Sequence, residues 1–459
     1  MLERKFTPVI IDFLKQESDK ILLVNGARQT GKSYLIRYVG KLLFKHLIEI
    51  NLKEDKESDR VFADVHSTDD LYMRLSVFTG EPLGDVTDTL IFLDEIQCYP
   101  HLLTLLKFLR EERRYRFIAS GSELGIALAR TPSVPLGSIS VKQMYPLDFE
   151  EFLWATGVSK DWISSMRQLY EDEKSLDADT HTLMLKRFQY YLLVGGLPEA
   201  VNAFLADRNI LRVRAIQTDI HELYKIDASQ YDEVHKLRIR KIYDLIPSNL
   251  ENKIKRIRYK DIENKKGKTF SDYSEEFEYL TNSGVALEVT AISNPVFPLI
   301  ESEQKRLVKL YLNDVGILTD ILYRHNVNAV LGNVKSVNLG TVYESVVAQE
   351  LAAHGFKLHY YDNKKNGEVD FLIDDFGDLS LLPIEVKSGK DYTRHTALNR
   401  FLEREGNKIR KAIVLSNERE VKRVNDIVYM PVYYVMFIDN IMPDSSAILA
   451  PLSPLHIDK

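Results

Sequence analysis

A single cysteine, Cys98, stands in 459 residues, so no disulfide can form within the chain and folding rests on buried apolar cores. That usage fits a reducing compartment, and we expect a cytoplasmic protein. No apolar run approaches the roughly 20 residues that a membrane-spanning helix needs, and Met1-Leu2-Glu3-Arg4-Lys5 is followed by no signal-peptide core. No membrane partner is expected. Neither sign of charge is in large excess: 61 Lys and Arg against 67 Asp and Glu leave a net −6, so nucleic-acid binding would need a local basic patch. What is present, 45% hydrophobic and 28% charged residues, excludes wholesale disorder. The length exceeds one ordinary core, and two to four domains are expected.

The stretch Gly26-Ala27-Arg28-Gln29-Thr30-Gly31-Lys32-Ser33 fits the phosphate-binding pattern of glycine, four variable residues and Gly-Lys-Ser/Thr. It lies between an apolar run, Ile21 to Val24, that reads as a buried strand and a segment, Tyr34 to Leu43, with helical spacing. Two glycines let the loop turn its N–H groups toward phosphate oxygens, and the helix N-terminus adds its positive end. Lys32 is expected to reach the β- and γ-phosphates and Ser33 to hold Mg²⁺, which makes ATP and Mg²⁺ the expected cofactors.

Leu90-Ile91-Phe92-Leu93-Asp94-Glu95 reads as a core strand ending in two carboxylates. In a parallel sheet that end faces the ligand, so Asp94 is expected in the magnesium shell and Glu95 beside the attacking water. A further strand, Arg116 to Ala119, runs into Ser120-Gly121-Ser122. Ser120 is expected to sense the nucleotide, whereas Ser122 serves either as a second sensor or as the N-cap of the helix Glu123 to Arg130. Arg130 is either an arginine offered to a neighbouring subunit's nucleotide or a solvated surface residue. A small-molecule kinase on the same loop fits less well, since adjacent Asp94 and Glu95 suit water activation better than transfer to a hydroxyl.

Together with Met144-Tyr145-Pro146-Leu147-Asp148-Phe149-Glu150-Glu151-Phe152 and Gly195-Gly196-Leu197-Pro198-Glu199, these motifs resemble the AAA+-like ATPases of bacteria and archaea. More narrowly, the chain resembles the subgroup that carries a winged helix and a C-terminal PD-(D/E)XK nuclease-like domain. It departs from that subgroup at Gly137-Ser138, where Gly-Arg is common, and in having no evident lid arginine beside Gly195-Gly196. The resemblance implies an α/β multidomain chain: a P-loop parallel-sheet ATPase core over 1–145, a helical lid over 146–215, a winged-helix module over 216–320 and a nuclease-like α/β domain over 321–459.

Within the expected winged-helix module, twelve Lys or Arg against four acids between Lys236 and Lys268 leave a local +8, either a phosphate-backbone contact or a solvated face. The helix Ser271 to Asn282 that would enter a DNA groove carries Asp272, Glu275, Glu276 and Glu278 and not one cation. Phosphates would repel it, so protein contact is expected there in preference to groove reading. In the last domain, Glu368 to Ile373 and Leu381 to Lys387 read as a strand pair joined by a turn, which puts Glu385 and Lys387 on one face with Asp370 near them. Two carboxylates and a lysine around one point suit a divalent cation and a scissile phosphate. That order resembles the PD-(D/E)XK nucleases, and Glu344 matches the additional acid on the family's first helix. The expectation is therefore a second divalent metal at Glu344, Asp370 and Glu385, with Lys387 at the reacting phosphate and DNA as partner. The alternative is a nucleotide-controlled switch or scaffold whose last domain is catalytically silent. A homo-oligomer is also expected wherever a neighbour completes the nucleotide pocket.

Overall fold

The computed structural model describes residues 2–16, 20–80, 83–85, 87–131, 137–230, 235–252, 255–331, 337, 339–389, 391–405 and 409–440. The first half is a five-stranded parallel sheet of β1 (Ile21–Asn25), β2 (His46–Asn51), β3 (Thr89–Asp94), β4 (Arg116–Gly121) and β5 (Ile139–Gln143), in the order β2-β3-β4-β1-β5. β1 and β3 are buried along their whole length because helices cover both faces, which is why they read as unbroken apolar runs. One face packs on Phe6–Lys15 and Lys32–Leu43 through Ile10, Leu35, Ile36 and Phe92. The other packs on Thr68–Thr79 and Pro100–Glu112 through Leu71, Leu75, Leu103 and Leu106. The chain order swings from β1 out to β2 and back to β4, so the carboxyl ends of the parallel strands β1, β4 and β3 lie side by side, where an open α/β sheet takes its ligand.

The second half is built on an eight-stranded sheet. Its strands are β6 (Ala286–Ile292), β7 (Gln304–Leu312), β8 (His359–Asn363), β9 (Gly367–Asp375), β10 (Ser380–Val386), β11 (Ala412–Ser416), β12 (Lys422–Val424) and β13 (Ile427–Pro431), ordered β12-β13-β11-β10-β9-β8-β6-β7. The hairpin β6–β7, expected as a wing, does not stand apart: β6 pairs in parallel with β8 through Thr290 and His359, so the hairpin extends the C-terminal sheet. Helix Gly340–Ala353 lies under this sheet, buried on every side from Thr341 to Ala352. One continuous core runs from Leu147 and Phe149 through Tyr191 and Tyr243 to Val346 and Tyr434, so the expected lid, winged module and C-terminal domain pack as one body. No helix among the described residues is long and apolar enough to cross a membrane.

The acidic helix of the expected winged module, Ser274–Asn282, turns one of its three carboxylates, Glu276, inward and leaves Glu275 and Glu278 exposed. Glu276 is buried and pairs with His235 at 2.9 Å and Arg238 at 3.4 Å. From the same basic segment, Arg256 pairs with Asp362, Lys268 with Asp272 and Lys255 with Glu344. These cations are engaged by carboxylates of the chain itself; residues 253 and 254 of the segment lie outside the described residues.

Candidate functional site

β1 delivers the chain into the phosphate loop at Gly26, whose φ of 151° and lack of a side chain are both required: a Cβ there would lie 2.3 Å from the Met144 carbonyl oxygen. Left-handed backbone at Gln29 and Gly31 completes the turn, and helix Lys32–Leu43 starts directly after it. The Thr30 hydroxyl donates to the Ala27 carbonyl at 2.9 Å and ties the loop across itself. Lys32 is buried, and its ammonium donates to the carbonyl oxygens of Gly26 at 2.7 Å and Ala27 at 2.9 Å. Burial pushes that ammonium down to about 8, against the upward pull of Glu95 and Asp94.

Ser33, in the first turn, donates its hydroxyl to Asp94 Oδ2 at 2.7 Å, and the Ser120 hydroxyl bonds the other oxygen of the same carboxylate. The three residues named from the ends of a helix and two strands thus meet at one point. A hydroxyl beside a carboxylate is the donor set a hard cation takes together with phosphate oxygens and water, so these residues fit Mg²⁺. Glu95 has left-handed backbone, φ 54°, and its carboxylate accepts from Gln97 and, at 3.3 Å, from the Ser122 hydroxyl. The two alternatives for Ser122 are therefore separated: the following helix starts at Leu124 with Glu123 in the cap position, and Ser122 turns to Glu95 instead. The side chain of Arg130 lies outside the described residues.

Sequence reasoning missed three supports. Gln97 is one, although it follows Glu95 by two residues. Arg4 is another: its guanidinium donates to the Thr30 carbonyl at 3.0 Å, the Tyr145 carbonyl at 2.6 Å and Glu151 at 3.1 Å, joining the N-terminal segment, the phosphate loop and the segment after β5. The third is Asp314, which accepts from the Gly196 N–H at 2.7 Å and sits where a side chain at Gly195 would be. Burial pushes the Asp314 carboxyl up to about 6, with backbone N–H donors opposing it. Pro198 opens the next helix, as its sequence position suggested, and lies against Gly31. The Arg28 guanidinium is paired with Asp227 of helix Ile210–Gln230.

In the second half, antiparallel pairing of β9 with β10 brings Asp370 beside Glu385 as expected, and Asp370 accepts the Val386 N–H at 2.8 Å. Lys387 and Glu385 share a face and pair at 2.6 Å. Burial, then the Asp370 charge, push Glu385 up to about 8 and Glu344 up to about 7. The expected metal site is not formed, however. Among the described residues no three His, Cys, Asp or Glu side chains stand as a ligand group. The cause is occupation by lysines: Lys255 holds Glu344 and Lys387 holds Glu385, while Asp370 spends an oxygen on the backbone. These residues do not fit a divalent cation as arranged. Lys255 arrives from 89 positions away, a contact that no local spacing announces.

Residues 18–153 match the family model described as an AAA domain. Residues 185–327 and 339–435 match two families described as domains of unknown function, DUF8612 and DUF4143. No curated protein matches. Among solved structures, the chain is similar to the Walker-type ATPase paby2304 of Pyrococcus abyssi, at 15% identity over 70% of this chain and 95% of that one, with a TM-score of 0.41. It is more distantly similar to the Aeropyrum pernix ORC1 protein in complex with DNA, at 15% identity, 70% and 91% coverage and a TM-score of 0.29. AMPPCP-bound DnaA from Aquifex aeolicus follows at 11% identity, 57% and 75% coverage and a TM-score of 0.27. With the strand order and loop geometry above, the match over 18–153 makes this part of the chain an AAA-type, ATPase-like P-loop domain.

Proposed function

We propose that the chain is a Mg²⁺-dependent ATPase whose nucleotide state is passed to its C-terminal half. The observation that carries the reading is the convergence of Ser33, Ser120 and Asp94, with Glu95 held beside them by Gln97 and Ser122. In this reading Lys32 exchanges the Gly26 and Ala27 carbonyls for β- and γ-phosphate oxygens, and the loop N–H groups hold the rest of the phosphate chain. Ser33 and Asp94 would hold Mg²⁺, which when bound offsets phosphate charge. Ser120 fixes the Asp94 carboxylate. Glu95 orients the attacking water and takes its proton, and the Gln97 amide keeps that carboxylate in place. Phosphate release from ATP by the purified chain tests this: it should require Mg²⁺ and be lost in Lys32→Ala, and an unchanged rate in that variant would remove the assignment.

For the last domain two readings remain in play, a metal-dependent DNA nuclease or DNA-binding module and a catalytically silent binding module. The lysines seated on Glu344 and Glu385 favour the silent module. DNA incubated with the protein and Mn²⁺ should stay intact. Cleavage that disappears in Asp370→Ala would restore the nuclease reading.

A further inference from the structure

The geometry points to Arg28 as a nucleotide sensor: its guanidinium is shared between Asp227 and the terminal phosphate of a bound nucleoside triphosphate, so that triphosphate loosens helix Ile210–Gln230 from the phosphate loop. This rests on the reading of Gly26–Ser33 as a nucleotide site and adds to it how that site is read by the rest of the chain. Arg28 lies between the two loop glycines, and it lines one small cavity with Ser122, whose hydroxyl bonds the Glu95 carboxylate at 3.3 Å. Its partner Asp227 lines the same cavity. The pair is largely shielded, with 19% and 11% of the two side chains exposed. Asp227, Glu123, Tyr224 and Tyr279 close a small cavity around the guanidinium with Ser122.

Guanidinium binds carboxylate and phosphate with the same planar fork, and a triphosphate terminus carries more charge than one carboxylate, so the two compete directly for Arg28. The competition has a consequence on the losing side. Burial pushes the Asp227 carboxyl up, and Arg28 is the foremost group holding it ionised, so departure of the guanidinium leaves a shielded carboxylate without its counter-ion. A second tie lies one turn back, where the Tyr224 hydroxyl donates to the Arg28 carbonyl at 2.9 Å. Both ties belong to one 21-residue helix, about 30 Å long at 1.5 Å per residue. Near its start, the buried Arg214 donates to the Leu193 and Gly316 carbonyls and to Thr319, and Gln217 donates to the Leu193 and Val194 carbonyls. One rigid element therefore touches the phosphate loop at one end and helix Val315–Tyr323, which follows β7, near the other.

The test compares affinities for a non-hydrolysable ATP analogue and for ADP, both with Mg²⁺, by calorimetry in wild type, Arg28→Ala, Asp227→Asn and the double variant. Freed Arg28 should raise the preference for triphosphate over diphosphate in Asp227→Asn by about tenfold, within the usual range of coupling. Arg28→Ala should lose the preference, and Asp227→Asn should add nothing on that background. Hydrogen exchange in helix Ile210–Gln230 should quicken with the triphosphate and not with ADP. If Arg28→Ala fails to fold, Arg28→Lys serves in its place: a point charge in place of the fork should lower the preference. Equal shifts for both nucleotides in Asp227→Asn, or additive effects of the two substitutions, would overturn the sensor while leaving nucleotide binding intact. A wild type that binds neither nucleotide would overturn the phosphate-loop reading and the sensor with it.

Discussion

Lys32 carries a pH signature that follows from its place. Its ammonium is fully shielded and pushed down to about 8, so the empty loop gives up the proton well before an ordinary lysine does. The unfolded chain keeps that proton to about 10.5, so the unliganded fold gains stability as pH rises from about 8 to 10.5, by about 3 kcal/mol at most at 1.36 kcal/mol per unit. Phosphate binding reverses the preference, because the charged form then has a counter-ion. Affinity for ATP should be flat below pH 7 and fall above pH 8 by up to about tenfold per unit. Calorimetry in two buffers of different ionisation enthalpy should register proton uptake on binding at pH 8.5 and none at pH 6.5. In Lys32→Arg, whose guanidinium stays charged, the uptake should vanish.

At the scale of elements, the phosphate loop depends on how closely β1 and the segment after β5 approach. Met144 donates to the Asn25 carbonyl at 2.8 Å, and the Met144 carbonyl fills the space where a side chain at Gly26 would stand. Gly26→Ala should therefore cost well over 1 kcal/mol in chemical denaturation and abolish nucleotide binding. This part was legible because its signals are local: glycines and Lys32 are contiguous, and Asp94 and Glu95 mark a strand end by an abrupt change from apolar to acidic residues. Ser122 was legible only as an alternative, since one hydroxyl suits a cap as well as a carboxylate. For the hairpin β6–β7, expected only as part of a winged module, the neighbouring strand was not readable. Parallel pairing of β6 with β8 joins residues far apart in sequence, and nothing in either strand names the partner. The nuclease-like group shows the same limit: alternation along β10 put Glu385 with Lys387, while the lysine that occupies Glu344 comes from a distant segment.

Across the whole molecule, the two sheets are joined by buried charge as well as by apolar packing. Arg4 grips the phosphate loop and Glu151 together, Asp148 faces Lys5 at 2.8 Å, and Glu350 of helix Gly340–Ala353 accepts the Phe149 N–H at 2.9 Å. Burial pushes the Glu350 carboxyl up to about 8, so this junction is held by a carboxyl accepting hydrogen bonds from Phe149 and, at 3.1 Å, from the Tyr191 hydroxyl. Arg4→Ala would strand the buried Glu151 and release the loop. A loss of about 3 kcal/mol in unfolding free energy, together with weaker ATP binding, is the expected outcome in paired denaturation and binding titrations. The same junction lies on the helix that bears Glu344, which joins that carboxylate to the P-loop half through one rigid element.

Glu95 is the group proposed to activate water, and one variant separates that role from binding. In Glu95→Gln the site keeps its shape and loses only the proton acceptor. Single-turnover measurement with Mg²⁺ and ATP should show nucleotide bound within about twofold of wild type and phosphate release slowed by at least a hundredfold, the scale of a lost general base. Phosphate release at the wild-type rate from Glu95→Gln would contradict that role.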